Sequence, residues 1–168
     1  GYKLGEFQVN GHVDAGFRLG KDSMTIAAKA FFRNETPDFY LQHYRSNHYQ
    51  WENDFNKTLR FHIGGEVAYP TQWVKPKVKV AFENITQHIY FDENGLPKQM
   101  DGNIQVLAAD LQLNITTPWL NLDNSIVYQH SSSAALPLPT LTMYNNLYYH
   151  GTWVKALDVQ IGVDMRFF

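Results

Sequence analysis

The stretch Leu157-Asp-Val-Gln-Ile-Gly-Val-Asp-Met-Arg-Phe167 alternates without a break. Its odd positions (Leu157, Val159, Ile161, Val163, Met165, Phe167) are apolar, and its even positions (Asp158, Gln160, Gly162, Asp164, Arg166) are polar or glycine. Successive side chains of an extended strand point to opposite faces, so this segment has one oily face and one wet face. Two settings call for that pattern: a half-buried soluble sheet, or a barrel strand with hydrocarbon on one side and water on the other.

Bulk properties narrow the choice. A chain of 168 residues is enough for a single domain. With no cysteine it holds neither a disulfide framework nor a thiolate metal site. A net charge of -2 gives no reason to expect nucleic acid as a partner. A membrane-spanning helix needs about 20 apolar residues. Val106-Leu-Ala-Ala109 is among the longest apolar runs present, so that route is closed. A barrel remains open, because alternation hides lipid-facing residues among lumen-facing ones. The chain opens at Gly1 with no signal-like apolar stretch, so an export signal is expected to have been removed, or to lie further upstream.

Outward from the terminal segment, the same alternation recurs. Leu4 to Leu19 reads as a first strand, with Phe7, Val9, Val13 and Phe17 on one parity and Gln8, His12, Asp14 and Arg18 on the other. After the turn Gly20-Lys-Asp22, Ser23 to Asn34 returns. Glu35 to Asp54 is rich in Tyr, His and Asn, has no sustained period, and reads as a long external loop. Phe55 to Tyr69 restores the pattern, and Val74 to Phe91 follows a short turn at Pro70-Thr-Gln-Trp73. The parity blurs beyond Asn84, as at a bulge or where a strand projects past a bilayer. Asp92 to Gln99 reads as a polar loop, followed by strands over Met100 to Thr116 and Trp119 to His130. A Ser/Pro loop over Ser131 to Thr140 leads into the last hairpin, Leu141 to Trp153 and Leu157 to Phe168.

The reading is therefore all-β: an antiparallel up-and-down meander of about eight strands. Its connections alternate short and long, as in a transmembrane outer-membrane β-barrel with tight periplasmic turns and longer outer loops. Several strands span roughly 12 to 18 residues, beyond the 5–6 usual in globular proteins. Trp73, Trp119 and Trp153 all fall at short turns, where a membrane-interface girdle would sit. With a short first turn, both ends of the chain fall on the long-loop side. Complete barrels of this type usually start and finish at the short turns, so a contiguous part of a larger barrel is expected, with edge strands that need partners.

The loop Gln42-His-Tyr-Arg-Ser-Asn-His-Tyr-Gln-Trp-Glu-Asn-Asp-Phe55, followed by a basic strand running into Gly64-Gly65, resembles a signature of the β-barrel porins of Bacteroidota outer membranes. The resemblance implies a barrel in the bacterial outer membrane that acts as a diffusion channel. Its loop residues His43, Arg45, Asn47, His48, Trp51, Asn53 and Asp54 then become candidates for a structural or binding role. A hydrogen-bonded network that folds the loop is the favoured reading. One departure concerns the terminus: Phe167 is in phase with the apolar face and Phe168 is not, so Phe168 does not read as a terminal assembly signal.

Chemistry on the wet face is sparse. His12 with Asp14 and His62 with Glu66 share a face, but no third metal ligand has a recognisable spacing, so no metal is expected. Ser125 and His130-Ser-Ser-Ser133 lack a nucleophile setting, and Gly64-Gly65 lies within a strand, where glycine marks a bend or close packing. No enzyme, catalytic residue or cofactor is expected. Lumen-facing candidates are Arg18, Lys29, Arg33, Arg60, His62, Lys77, Lys79 and Arg166 with Glu6, Asp14, Glu66, Glu83, Asp110, Asp123, Asp158 and Asp164. Basic residues group in the first half and acidic ones in the second, which would set a transverse field across a pore. The expected function is passive diffusion of small polar solutes, with the lipid bilayer and an outer-membrane protein or missing strands of the same barrel as partners. The rivals are a non-conducting structural or adhesive barrel and a soluble lipocalin-like binding module with its apolar face inward.

Overall fold

The computed structural model describes residues 5–168, so the expected strand start at Leu4 lies outside the described residues. The elements run β1 (Phe7–Leu19), β2 (Asp22–Glu35), α1 (Phe39–Gln42), β3 (His43–Arg45), β4 (Gln50–Glu52), β5 (Thr58–Ala68), β6 (Val74–Thr86), β7 (Ile89–Phe91), β8 (Pro97–Gln99), β9 (Asn103–Thr116), β10 (Leu120–Ser131), β11 (Leu141–Trp153) and β12 (Leu157–Phe167). The eight long strands form one antiparallel meander in the order β1-β2-β5-β6-β9-β10-β11-β12. The hairpins β3–β4 and β7–β8 stand apart from it, inside the first two long connections.

Register carries the alternation across the whole sheet. One line of directly paired residues runs Ala15, Ile26, Val67, Val78, Leu111, Ile126, Met143, Phe167, taking one apolar residue from each long strand. The adjacent line runs Gly16, Thr25, Ala68, Lys77, Gln112, Ser125, Tyr144, Arg166. A slip of one residue in any strand would exchange the two faces locally, so the apolar parity fixes each pairing.

Burial then decides which face is which. Phe61, Leu111 and Ile161 on the apolar face are 37%, 45% and 60% exposed. On the polar face the side chains of His62 and Asp110 are 13% and 20% exposed. On the inner strands the shielded face is the polar one, the reverse of a soluble sheet, while β1 and β12 are exposed on both faces; the lipocalin-like alternative does not describe the inner strands. Among the described residues the buried apolar side chains are Ile85 and Ile104 in the sheet and Pro37 and Pro97 in the connections. Ile85 and Ile104 are directly paired on the polar face at its long-loop end. This explains the blurred parity beyond Asn84: the inner face there turns apolar because the connections fold over it.

The strands expected from Phe55 and Met100 begin at Thr58 and Asn103, and the one expected over Trp119 to His130 runs Leu120–Ser131; the larger differences lie in the connections. The strand expected over Val74 to Phe91 ends at Thr86, because Gln87 takes φ 59° and turns the chain out of the sheet. Ile89–Phe91 and Pro97–Gln99 then pair into a hairpin, so the expected Asp92 to Gln99 loop is its tip and return strand. The expected loop over 35–54 contributes Glu35 to β2 and holds α1 and the β3–β4 hairpin. Gln99 fastens these connections: its side chain accepts from Asn56 N–H at 2.8 Å and donates to the carbonyls of Asn56 (2.8 Å) and Gln87 (3.0 Å). β1 and β12 form the two edges of the sheet, each paired on one side among the described residues.

Candidate functional site on the polar face

The polar face is hollow. Gln8 of β1 and Gln129 of β10, five strands apart in the sheet, line one cavity of about 900 Å³ together with Arg33, Arg60 and Glu83. Towards the short turns a second recess of about 380 Å³ is lined by His12, Lys29, Gly64, Glu66 and Lys79. Gly64 forms its floor for a packing reason: a Cβ there would come within 3.2 Å of both His62 Nε2 and the Val80 carbonyl.

The ladder places the charged residues of this face in pairs. Glu66 stands opposite Lys79, and Lys79 opposite Asp110. The Lys79 ammonium is 3.8 Å from Glu66 and 3.9 Å from Asp110, while Lys77 reaches Glu66 at 3.5 Å. Gln112 Nε2 and Ser125 Oγ donate to Asp110 at 2.8 and 3.2 Å. Arg60 is bonded to Glu83 through Nε at 2.8 Å and through a second nitrogen, and His62 Nδ1 lies 3.5 Å from the same carboxylate. His62 stacks flat on Phe31 with centroids 4.9 Å apart. The expected basic and acidic walls are thus corrected. Lys77, Lys79 and Arg60 neutralise carboxylates on neighbouring strands, because cross-strand spacing brings opposite charges within reach.

The remaining candidates take lesser positions. Arg18 stands at the turn end of β1 opposite Ser23, and Lys29 is exposed opposite Gly64. Asp123 is half-buried between Asn114 and Asn146. Asp158 accepts the Thr152 hydroxyl at 2.7 Å, and Asp164 meets Arg166 at 3.3 Å on the edge strand. His12 pairs with Asp14 at 3.1 Å.

Residues that reading by parity missed lie at the long-loop end. Phe31 breaks the polar parity of β2, and the Phe31-Phe32 doublet was the one signal for it. Leu41, Ile89, Leu136 and Leu138 come from three different connections and line the larger cavity beside Ile85. These connections fold inward, so apolar residues in them have a roof to build.

The long first loop is held by aromatic packing, not by the expected polar network. Trp51 stacks on Tyr44 at 4.6 Å, meets Phe91 of the neighbouring hairpin at 6.2 Å, and donates its Nε1–H to the Tyr40 carbonyl at 3.0 Å. Asn53 contributes through its backbone N–H to the Gln42 carbonyl (2.7 Å) and its side chain to Leu41 (3.4 Å). His43 lies against Phe39 at 5.3 Å. Arg45, Asn47, His48 and Asp54 are exposed and make no side-chain hydrogen bond among the described residues.

Ionisation in the connections follows local contacts. Burial, reinforced by the Arg60 charge, holds His88 below the usual histidine value. The Leu96 backbone N–H and then Lys98 hold Asp92 below the usual carboxylate range. The Asp92 hydrogen bond raises Lys98 in turn, across 3.0 Å.

At the opposite end, Trp73, Trp119 and Trp153 line up on the short-turn edge of the sheet. The Trp73 carbonyl accepts from Thr116 N–H at 2.8 Å and the Trp119 carbonyl from His150 N–H at 2.9 Å. All three rings are exposed. In the comparisons with known proteins, a family model described as "Putative porin" matches residues 1–168. No curated protein matches the chain.

Proposed function

The chain belongs to this porin family, and with membership comes a porin-like outer-membrane role in general; from that premise we propose that its hollow polar face is one wall of a pore for the passive diffusion of small polar solutes. The observation that carries the proposal is the inverted burial: Leu111 and Ile161 are outward and exposed, while Asp110 and His62 are shielded in the hollow. An apolar face of this size is stable only against hydrocarbon or another protein surface. A polar hollow on the other side suits water and hydrated solutes. Trp73, Trp119 and Trp153 would then mark one membrane interface, the periplasmic one.

Closure belongs to the same proposal. In a bilayer the unpaired backbone groups of β1 and β12 have no water to turn to, so both edges require partner strands. Transport in this reading is non-enzymatic and needs no cofactor. The full-length protein in liposomes tests it: swelling in isosmotic sugar, faster for small than for large sugars, supports diffusion, and impermeable vesicles with inserted protein refute it.

One observation favours a second reading, a barrel closed at its outer end whose loops serve adhesion. The connections fold over the polar face at Ile85 and Ile104. The same swelling measurement separates the two.

A further inference from the structure

We infer, resting on the pore reading above, that the rings of Phe31 and His62 form a fixed ridge across the proposed path. Solute crosses this ridge at the gap over Ala81, so His62 and Ala81 set the size limit of what passes.

The two hollows of the polar face meet at His62 and Ala81, which line both of them. On β2 the larger hollow is lined by Arg33 and the smaller by Lys29, with Phe31 between them. From the larger hollow to the smaller, the order on β5 is Arg60, His62, Gly64, and on β6 it is Glu83, Ala81, Lys79. The divide therefore runs obliquely over three neighbouring strands, through Phe31, His62 and Ala81.

Its height is uneven. Phe31 and His62 are directly paired across the β2–β5 ladder, and their rings are parallel to within 5° with centroids 4.9 Å apart. That separation matches the spacing of neighbouring strands, about 4.8 Å, so the two rings stand side by side and project from the sheet. Ala81 carries only a methyl group, and Gly64 directly opposite it carries no side chain. From β5 to β6 the divide thus drops from a full ring to a methyl.

The tall part is also braced. His62 is wedged between Phe31 and Glu83, whose carboxylate lies 3.5 Å from Nδ1, and its side chain is largely shielded. The Arg33 guanidinium lies 5.4 Å from the centre of the Phe31 ring, a cation–π contact. His62 cannot swing aside without losing both of its neighbours, so the ridge sieves by size and does not act as a moving gate.

Liposome swelling with a graded series of sugars, and single-channel conductance in planar bilayers, test this on the full-length protein. His62→Ala lowers the ridge, so conductance should rise about twofold and larger sugars should enter. Ala81→Phe fills the gap with the ridge intact, so conductance should fall about twofold and the size limit should drop. Val78→Phe puts the same ring on the exposed apolar face of the same strand and should change neither. A conducting protein in which His62→Ala or Ala81→Phe leaves both readings unchanged, or moves them the other way, overturns the inference and leaves the pore. Should one of the two variants fail to assemble, the other decides against Val78→Phe. Impermeable vesicles from the unaltered protein remove the pore and this ridge's role together.

Discussion

Lys79 stands directly opposite Glu66 across the β5–β6 ladder, its ammonium 3.8 Å from the carboxylate, and the same ammonium lies 3.9 Å from Asp110 on the other side. With Lys77 also at Glu66, the middle of the polar face is a four-member network of nearly balanced charge. Replacing Lys77 and Lys79 with Glu converts it into a patch of four carboxylates. The reversal potential of the full-length protein in planar bilayers should then move towards cation selectivity, and the shift should shrink at high salt as screening sets in. An unchanged potential would mean that this face does not line the conducting path.

The opposite face carries a second expectation. Leu111 is at the middle of the apolar line from Ala15 to Phe167 and is 45% exposed. Leu111→Arg should cost about 2–4 kcal/mol of folding free energy in a bilayer, the range for a charge on the lipid side of a barrel strand near the midplane. Folding into liposomes across a urea series measures it. The same exchange on a water-exposed surface would fall within about 0.5 kcal/mol.

The last hairpin is a place to gain stability. Val154 and Lys155 both lie in the left-handed region, at φ 53° and 60°, and Val154 is 94% exposed, so no packing compensates. A β-branched residue is strained there, whereas Asn-Gly suits two successive left-handed positions, here in a three-residue connection closed by the Ala156 N–H on the Trp153 carbonyl at 3.2 Å. Val154→Asn with Lys155→Gly should stabilise the protein by about 1–2 kcal/mol, seen as a raised unfolding midpoint. A lowered midpoint would contradict the turn geometry.

How much of this was legible beforehand follows from what each residue faces. The eight long strands and their faces were readable because hydrocarbon on one side and a polar hollow on the other impose a strict period of two, as from Leu157 to Phe167. Where the environment changes, the period fails. Ile85 and Ile104 are on the polar parity yet apolar, since Leu136, Leu138 and Ile89 come from other connections to cover that end. The β7–β8 hairpin was hidden for a similar reason: its strands are three residues each, too short for a period, and depend on Gln87 turning the chain outward. Charge pairing was beyond reach of parity alone, which assigns Lys79 and Asp110 to a face without giving the register that sets them side by side.

Acid should loosen the outer connections in two stages. His88 is held below its ordinary value of 6.5, so the opened loop takes up a proton that the folded loop does not, and stability falls as pH drops below 6.5. Asp92 is held below its ordinary 3.8, so its contribution is present above that value and is lost as pH falls through the depressed one. Protease sensitivity of the loops against pH checks this: His88→Gln should remove the mildly acidic stage, and Asp92→Asn the strongly acidic one. A variant that retained its own stage would refute the assignment.

The central claim is that Leu111 and Val163 meet hydrocarbon while Gln112 and Asp164 meet water. Single cysteines at these four positions of the full-length protein, with any cysteine outside the present 168 residues replaced, can each carry a nitroxide label in liposomes. Power-saturation measurements with oxygen, which concentrates in lipid, and with a water-soluble nickel chelate then report the medium at each label. The account predicts high oxygen and low nickel accessibility at Leu111 and Val163, and the reverse at Gln112 and Asp164. Labels at Leu111 and Val163 that prove shielded from oxygen, with Gln112 and Asp164 facing lipid, would contradict it.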